Sequence, residues 1–478
     1  MSVEPFLADL VRLRKAIAAT AGDEPPPAAV HGLVANPTLR VLALRWKGLP
    51  GVVLGNAVQP PMPGEELVLV WRPPGRGEPS CRAASASDLL ALKVAVERLD
   101  PREAAREGGQ GVWVVQNALR QARADGLLLA PASILRRPPG FHAGGAPGDP
   151  SFLTAESFTL QWHVTQACDL RCKHCYDRSD RPALALGEGI RVLDELFSFC
   201  RDRDVAGQVT FSGGNPLLHP DFLGLYREAQ ERGFTVGILG NPASRAEIEE
   251  ILAVGPLDFF QVSLEGLRAH DDLIRGPGHW ERTMTFLDVL RDLGVYSLVM
   301  LTLTSENLGE VLALGKVLRG RADVFHFNRL SPVGEGARLA LPGREEYLSF
   351  LKTYGAATRE NPVLGCKDNL LSRVDAVQRD GSFGGCTGHG CGAAFNFVSL
   401  LADGEGHACR KFPSHLGSVL HQGLAEIYDS EEAHRYRAGA AACGGCNLRP
   451  RCGGCMASAS GFGLDPFRDR DPFCPGAL

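Results

Sequence analysis

The sequence predicts an α/β fold: a partial (β/α)6 barrel between an N-terminal α+β part and a cysteine-rich C-terminal part. Three observations carry this. Between residues 152 and 340, six strand-like runs alternate with amphipathic helical runs. Directly after the first of those strands, residues 168–175 read CDLRCKHC, with cysteines at 168, 172 and 175. The chain has 14 cysteines, and Cys386, Cys391, Cys409, Cys443, Cys446, Cys452, Cys455 and Cys474 crowd its last fifth.

In chain order, residues 1–137 form a part of their own. A helical segment (5–20) precedes strand-like TLRVLALRW (38–46) and ELVLVWRP (66–73), with the turn-rich QPPMPGE between them. Helical patterns follow at 87–100 and 111–129, the first with Leu89, Leu90, Leu92, Val94 and Val96 at half-buried spacing. The Pro- and Gly-rich stretch over 138–151 reads as a linker. The barrel part, 152–340, has strands at 158–164, 207–214, 234–242, 258–266, 296–304 and 323–330. Helices are expected at 187–203, 220–233, 244–254, 279–294 and 306–320. Crossover helices imply parallel strands, and six strands fall short of the eight that close a TIM-type barrel. Sites in such folds gather at the C-terminal ends of the strands. Residues 341–385 connect the barrel to the cysteine-rich part, 386–478.

An apolar fraction of 44% supports packed cores, and a net charge of −5 gives no sign of a nucleic-acid or membrane partner. No apolar run reaches the roughly 18 residues of a spanning helix. The opening MSVEPFLADLVRLRK lacks the order of a signal peptide, so the expected location is cytoplasmic. In that compartment cysteines serve metals or catalysis rather than disulfides.

A C-x3-C-x2-C loop lets three thiolates converge on one inorganic cube. A closed [4Fe–4S] cluster takes four cysteines, so three leave one iron open, as in a catalytic metal site. A zinc knuckle or redox pair is the alternative for these thiols. The spacing resembles the signature of radical S-adenosylmethionine (SAM) enzymes, with His174 at the position before the third cysteine. That resemblance implies that Cys168, Cys172 and Cys175 hold the cluster and that its open iron chelates SAM. Reductive cleavage then yields a 5′-deoxyadenosyl radical that abstracts hydrogen.

The second strand ends in FSGGNPLLHP (211–220). Gly213 and Gly214 let backbone approach a ligand closely. With Asn215 they resemble the Gly-Gly-Glu motif beside the SAM amino group, Asn standing where that family has Glu. Ser263 and Arg275 match positions that hydrogen-bond the SAM carboxylate and ribose, and Glu265 joins them as a candidate. Thr302, Thr304 and Asn307 read as local caps and turns.

The cysteines from 386 onward resemble the SPASM extension of peptide-modifying radical SAM enzymes. The final interval, Cys452 to Cys455, is two residues where that pattern has three. The resemblance implies two auxiliary [4Fe–4S] clusters, three clusters in all. Cys386, Cys391, Cys409 and Cys455 would hold one; Cys443, Cys446, Cys452 and Cys474 the other. A zinc ribbon fits 443–455 alone but leaves the other cysteines without a role. Cys81 and Cys200 read as core residues; Cys366 reads as a buried structural thiol, with an auxiliary-iron ligand or an acid or hydrogen donor as the alternatives.

The motif set looks most like maturases of ribosomally made peptides, within them the group modifying Cys-rich precursors to thio- or seleno-oxazoles. Residues 1–137 resemble small winged-helix domains that bind a leader peptide as an added strand. Partners implied are the precursor peptide and a one-electron donor such as flavodoxin or ferredoxin. Chemistry at or near peptide Cys residues, thioether or thiazole/oxazole in type, is expected. Arg410 follows Cys409 where sulfatase-maturing relatives carry an Asp base, which speaks against that activity. The alternatives are a radical SAM enzyme acting on another protein or a small molecule, and a non-catalytic iron–sulfur electron carrier. No catalytic acid or base is assigned.

Overall fold

The computed structural model describes residues 6–27, 30–138, 140–141, 150–378 and 383–476. It divides into two units, Met1–Ala132 with Glu231–Gly233, and Ser133–Gln230 with Phe234–Leu478.

In the first unit the opening helix spans Leu7–Gly22 and buries Leu10, Leu13 and Ala16 on one face. Strands Arg40–Lys47, Met62–Trp71 and Ser80–Ala83 form an antiparallel sheet in that order. The third strand is too short to show a period in the sequence. The helical run expected at 87–100 ends at Glu97, and a separate helix covers Pro101–Glu107. Asp100 makes the break, since its carboxylate caps the backbone N–H groups of Arg102 and Glu103 and Pro101 suits a first helical position. The run expected at 111–129 begins at Val112 and stops at Ala124; Leu128–Leu129 pairs instead with Val34–Ala35. There the Asp125 carbonyl accepts the Trp71 indole N–H at 2.8 Å, tying the turn to the sheet. Among the described residues Arg40–Lys47 is an edge strand, paired only to Met62–Trp71.

In the second unit β1 (Ser157–Thr165), β2 (Ala206–Gly213), β3 (Thr235–Leu239), β4 (Phe259–Ser263), β5 (Ser297–Leu303) and β6 (Val324–Arg329) lie parallel, neighbours in sequence order. Alternation along each strand decides which face sees what. Phe158, Leu160 and Trp162 of β1, Val209 and Phe211 of β2, and Phe260 and Val262 of β4 are buried in one apolar core. Burying each such side chain contributes about 1.5–3 kcal/mol. Helix Leu186–Asp202 lies so close to this face that a Cβ on Gly189 would meet Leu225 at 2.4 Å and Trp162 at 3.0 Å. The alternate residues, among them Thr159, Gln161, Gln208, Thr210, Gln261 and Asn328, are polar and line cavities. The barrel therefore has a polar lumen.

The sheet does not stop at β1. A seventh strand, β7 (Phe397–Leu400), pairs parallel to it with Val398 beside Leu160, and β8 (Glu405–His407) and β9 (His415–Ser418) follow antiparallel. The first stretch of the cysteine-rich part is thus continuous with the barrel sheet. The sequence reading took this stretch only as intervals between cysteines. Residues 133–137, grouped with the N-terminal part from sequence, belong to the second unit, where the buried Arg137 donates to the carbonyls of Arg437 at 2.9 Å and His389 at 3.1 Å. Of the segment 138–151 expected as a linker, residues 139 and 142–149 lie outside the described residues. No helix among the described residues is long and apolar enough to cross a membrane.

Candidate functional site

The CDLRCKHC loop leaves the C-terminal end of β1. Its neighbours at the ends of β2 and β3 hold it: the Asn215 N–H donates to the Ala167 carbonyl at 2.8 Å and the Gly214 N–H to that of Thr165 at 2.9 Å. The Asp169 carboxylate accepts the side-chain amides of Asn241 at 2.6 Å and Asn215 at 3.1 Å. Asn241 Nδ2 also lies 3.6 Å from Cys168 Sγ. The two glycines are required sterically. A Cβ on Gly213 would sit 2.1 Å from the Thr165 carbonyl oxygen, and one on Gly214 2.2 Å from that of Ala167. Cys168 is exposed, Cys172 and Cys175 half-buried.

All three cysteines open on a cavity of about 370 Å³, together with His174, Gly213, Gly214, Ser263 and Arg275. Asn215 does not line it. Its side chain is spent on Asp169 and on the Leu217 N–H, which its oxygen accepts at 3.4 Å.

Arg275 is pinned. Glu265, buried at the end of β4, accepts its Nε at 2.9 Å and Nη2 at 2.6 Å, while the other oxygen accepts the Thr302 N–H at 2.8 Å. His174 Nε2 lies 3.3 Å from the same carboxylate, and Arg275 Nη1 reaches to 3.7 Å from Cys172 Sγ. Burial alone would raise the Glu265 pKa, but His174, Arg275 and the Thr302 N–H outweigh it and hold the carboxylate ionised. Among the described residues the buried His174 Nδ1 has no hydrogen-bond partner. Thr304 and Asn307 cap one another, as expected, and Asn307 also donates to the Glu265 carbonyl at 2.8 Å.

A second cavity, of about 340 Å³, runs along the polar lumen to Cys386, Cys391, Cys409 and Cys455. Leu239, Gln261, Met300, Asn328, Arg410 and Lys411 line both cavities. Burial pushes the Cys391 thiol up to about 12 and that of Cys409 up to about 11, a cost that iron binding to the thiolates must offset. Cys443, Cys446, Cys452 and Cys474 surround a separate small pocket. Between the two groups runs a buried polar strut. Arg329 of β6 donates to Asp368 at 2.8 Å and in a fork to both oxygens of Asp471, at 2.7 and 2.6 Å. Asp471 in turn accepts the Cys455 N–H at 2.9 Å, and its carbonyl accepts that of Cys474 at 2.9 Å. Asn369 accepts the Cys386 N–H at 2.6 Å.

The structure thus brings the cysteines together as three, four and four. Among the described residues no three His, Cys, Asp or Glu side chains converge as ligands of one ion would. A cubane gives each thiolate its own iron and so spaces the sulfurs further apart. The chemistry of the donor sets, the glycine cradle and the buried His174 fit iron–sulfur clusters and a SAM-sized ligand. Asn241, Asp169, Arg329, Asp471 and Lys411 escaped the sequence reading, and Arg410 was read there only as the residue replacing an Asp base. Only Asn241 carried a signal, as it stands in a Gly-Asn-Pro at the rim where β3 ends.

Comparison with known proteins agrees with this arrangement. The profile of the radical SAM superfamily matches residues 162–318, and that of the SPASM iron–sulfur cluster-binding domain matches 391–456. The chain is 26% identical to an AdoMet-dependent heme synthase of Methanosarcina barkeri, over 66% of this chain and 95% of that protein. It is 28% identical to the mycofactocin maturase MftC of Mycobacterium ulcerans, over 66% and 87%. Streptococcus suis SuiB bound to precursor peptide SuiA shares the fold, with TM-score 0.54, 15% identity and coverage of 86% and 96%. The radical SAM domain carries a SAM-binding [4Fe–4S] cluster and the SPASM domain auxiliary iron–sulfur clusters. The chain is a radical SAM enzyme with a C-terminal SPASM domain.

Proposed function

We propose that the enzyme is a maturase acting on a ribosomally made precursor peptide, at or near Cys residues. The observation that carries this is the polar lumen, where Leu239, Gln261, Met300 and Asn328 line both the cavity at the Cys168–Cys175 loop and the cavity at the Cys386 group. Cys168, Cys172 and Cys175 hold the SAM-binding cluster; Cys386, Cys391, Cys409 and Cys455 hold one auxiliary cluster, and Cys443, Cys446, Cys452 and Cys474 the other. When bound, the reduced cluster and SAM supply a carbon radical that takes a hydrogen atom from the substrate.

The chain's own residues orient and enclose. Gly213 and Gly214 let the cluster loop pack its Thr165 and Ala167 carbonyls against the end of β2, Ser263 contacts SAM, and Glu265 holds Arg275 and His174 in place beside Cys172. The names of MftC and of SuiB with its precursor SuiA support a peptide substrate. The first unit, with its open edge strand Arg40–Lys47, serves as leader-binding domain by strand addition. The leader-binding role falls to Met1–Ala132, with the barrel at 152–340 and the auxiliary-cluster domain at 386–478. Product type within the thioether and thiazole/oxazole range, the flavodoxin- or ferredoxin-like donor and a cytoplasmic location belong to the same reading.

The test uses anaerobically reconstituted enzyme, dithionite and SAM. 5′-Deoxyadenosine should form, and a candidate precursor encoded beside this gene should change mass. Replacing Cys168, Cys172 and Cys175 with Ala should abolish release while auxiliary iron remains; retained cleavage overturns the site. Deleting residues 1–132 should weaken precursor binding more than SAM cleavage. The heme-synthase relatives favour a second reading, a tetrapyrrole substrate. Turnover of a porphyrin with no peptide modified would select it.

A further inference from the structure

We infer that Arg410, at the seam of the two cavities, is a specificity residue that binds a carboxylate of the substrate peptide. The inference rests on the peptide reading and names the feature selected within it.

Arg410 and Lys411 line both cavities, but their side chains act in different directions. The Lys411 charge falls on Cys455, Cys386 and Cys409, so it faces the thiolates of one group. The Arg410 charge is felt instead by His163 and Tyr176 at the SAM end of the lumen. Its backbone is fixed, the N–H donating to Ser399 Oγ of β7 at 3.1 Å. Among the described residues its guanidinium donates from Nη1 to Ser212 Oγ of β2 at 3.3 Å.

Of the other cations lining the SAM-end cavity, Arg171, Arg178 and Lys411 likewise form no ion pair with a carboxylate among the described residues, while two are neutralised. Arg275 is neutralised by Glu265, and Arg329 by Asp368 and Asp471. Among the described residues Arg410 forms no ion pair with a carboxylate. Asp177, the acid lining the same cavity, is occupied by Gln166 at 2.8 Å and by the Ser179 N–H at 2.8 Å. The part-buried guanidinium opens on the cavities, where its N–H groups can take an anion. Its planar fork matches a carboxylate in two parallel bonds. Hydroxyls complete the cradle: Ser212 beside Arg410, and Tyr176, whose OH is paired to His163 Nε2 at 3.0 Å. SAM has its own contacts at Ser263 and Arg275, so the anion this site selects comes from the peptide: an acidic side chain next to the modified residue, or the chain end.

The test uses the full-length reconstituted protein with SAM present and four short probes measured by calorimetry. Two are acetyl-Gly-Cys-Asp-Gly-amide and its Asn counterpart. The other two are acetyl-Gly-Cys-Gly with a free or an amidated end. The wild type should bind one acidic probe about 10-fold or more tighter than its neutral partner, the pair showing which source the site takes. In Arg410→Gln that preference should vanish, and in Arg410→Lys it should be partly kept, with iron per chain reporting that the variants fold. Equal binding within both pairs, binding of none, or a preference unchanged in Arg410→Gln overturns the assignment. The peptide-maturase reading falls separately, when no precursor is modified although SAM is cleaved.

Discussion

Replacing Asp471 by Asn should loosen both auxiliary cysteine groups at once. Its carboxylate takes four donors: Arg329 Nη1 at 2.7 Å, Arg329 Nη2 at 2.6 Å, the Cys455 N–H at 2.9 Å and the Phe473 N–H at 3.0 Å. Asn offers one acceptor oxygen, so its amide N–H groups must face either a guanidinium N–H or a backbone N–H. The ion pair is fully enclosed, with side chains 2% and 1% exposed. Breaking a buried pair by removing one partner costs about 3–5 kcal/mol. Asp368 still holds the Arg329 Nε at 2.8 Å, so the cationic side is not left wholly alone. The expected loss is therefore at the lower end, about 3 kcal/mol. Urea denaturation of the reconstituted chain, followed by circular dichroism, reads that loss. Iron per chain and the electron paramagnetic resonance of the auxiliary clusters read the second consequence, because Cys455 and the Cys474 turn both lean on Asp471. A loss under about 1 kcal/mol with full iron would refute the strut as the joint of the two groups.

Other substitutions probe the SAM end. Gly214→Ala should displace the loop, because the new methyl lands 2.2 Å from the Ala167 carbonyl oxygen; 5′-deoxyadenosine release should fall to background while auxiliary iron persists. Glu265→Gln frees Arg275 and should weaken SAM binding about 10-fold, measured by calorimetry on cluster-loaded enzyme, with unchanged affinity counting against the pinning role. His163 gives a pH dependence. Burial, and next the Arg410 charge, push its pKa down to about 3, so it stays neutral in the fold while the unfolded chain gains a proton below about pH 6.5. Stability is then lost as pH falls from about 6.5 toward 3, by about 1.4 kcal/mol per pH unit from this group. In His163→Gln the denaturation free energy should depend less steeply on pH over that window; an identical slope would count against the assignment.

How much was legible in the sequence follows from the range of each signal. Periodicity is local, so the six barrel strands and their helices were readable; so was the C-x3-C-x2-C loop, because its ligands sit within one turn of chain. The same alternation that buries Phe158, Leu160 and Trp162 already sorted Thr159, Gln161 and His163 to the other face. Short elements carry too few residues to show a period, which hid Ser80–Ala83 and β7.

What only the tertiary structure decided are the contacts between segments far apart in the chain. Asp169 meets Asn241, Arg329 meets Asp471 across 142 residues, and Arg410 stands at the seam of two cavities. No property of these side chains in isolation marks them, since an Arg or Asp in a polar stretch usually faces water. Folding makes them functional by removing much of that water and leaving each charge dependent on the few partners the fold brings to it. The cysteine spacing determined what chemistry the chain performs; the curving of an open sheet around a polar lumen decided where a substrate can meet it.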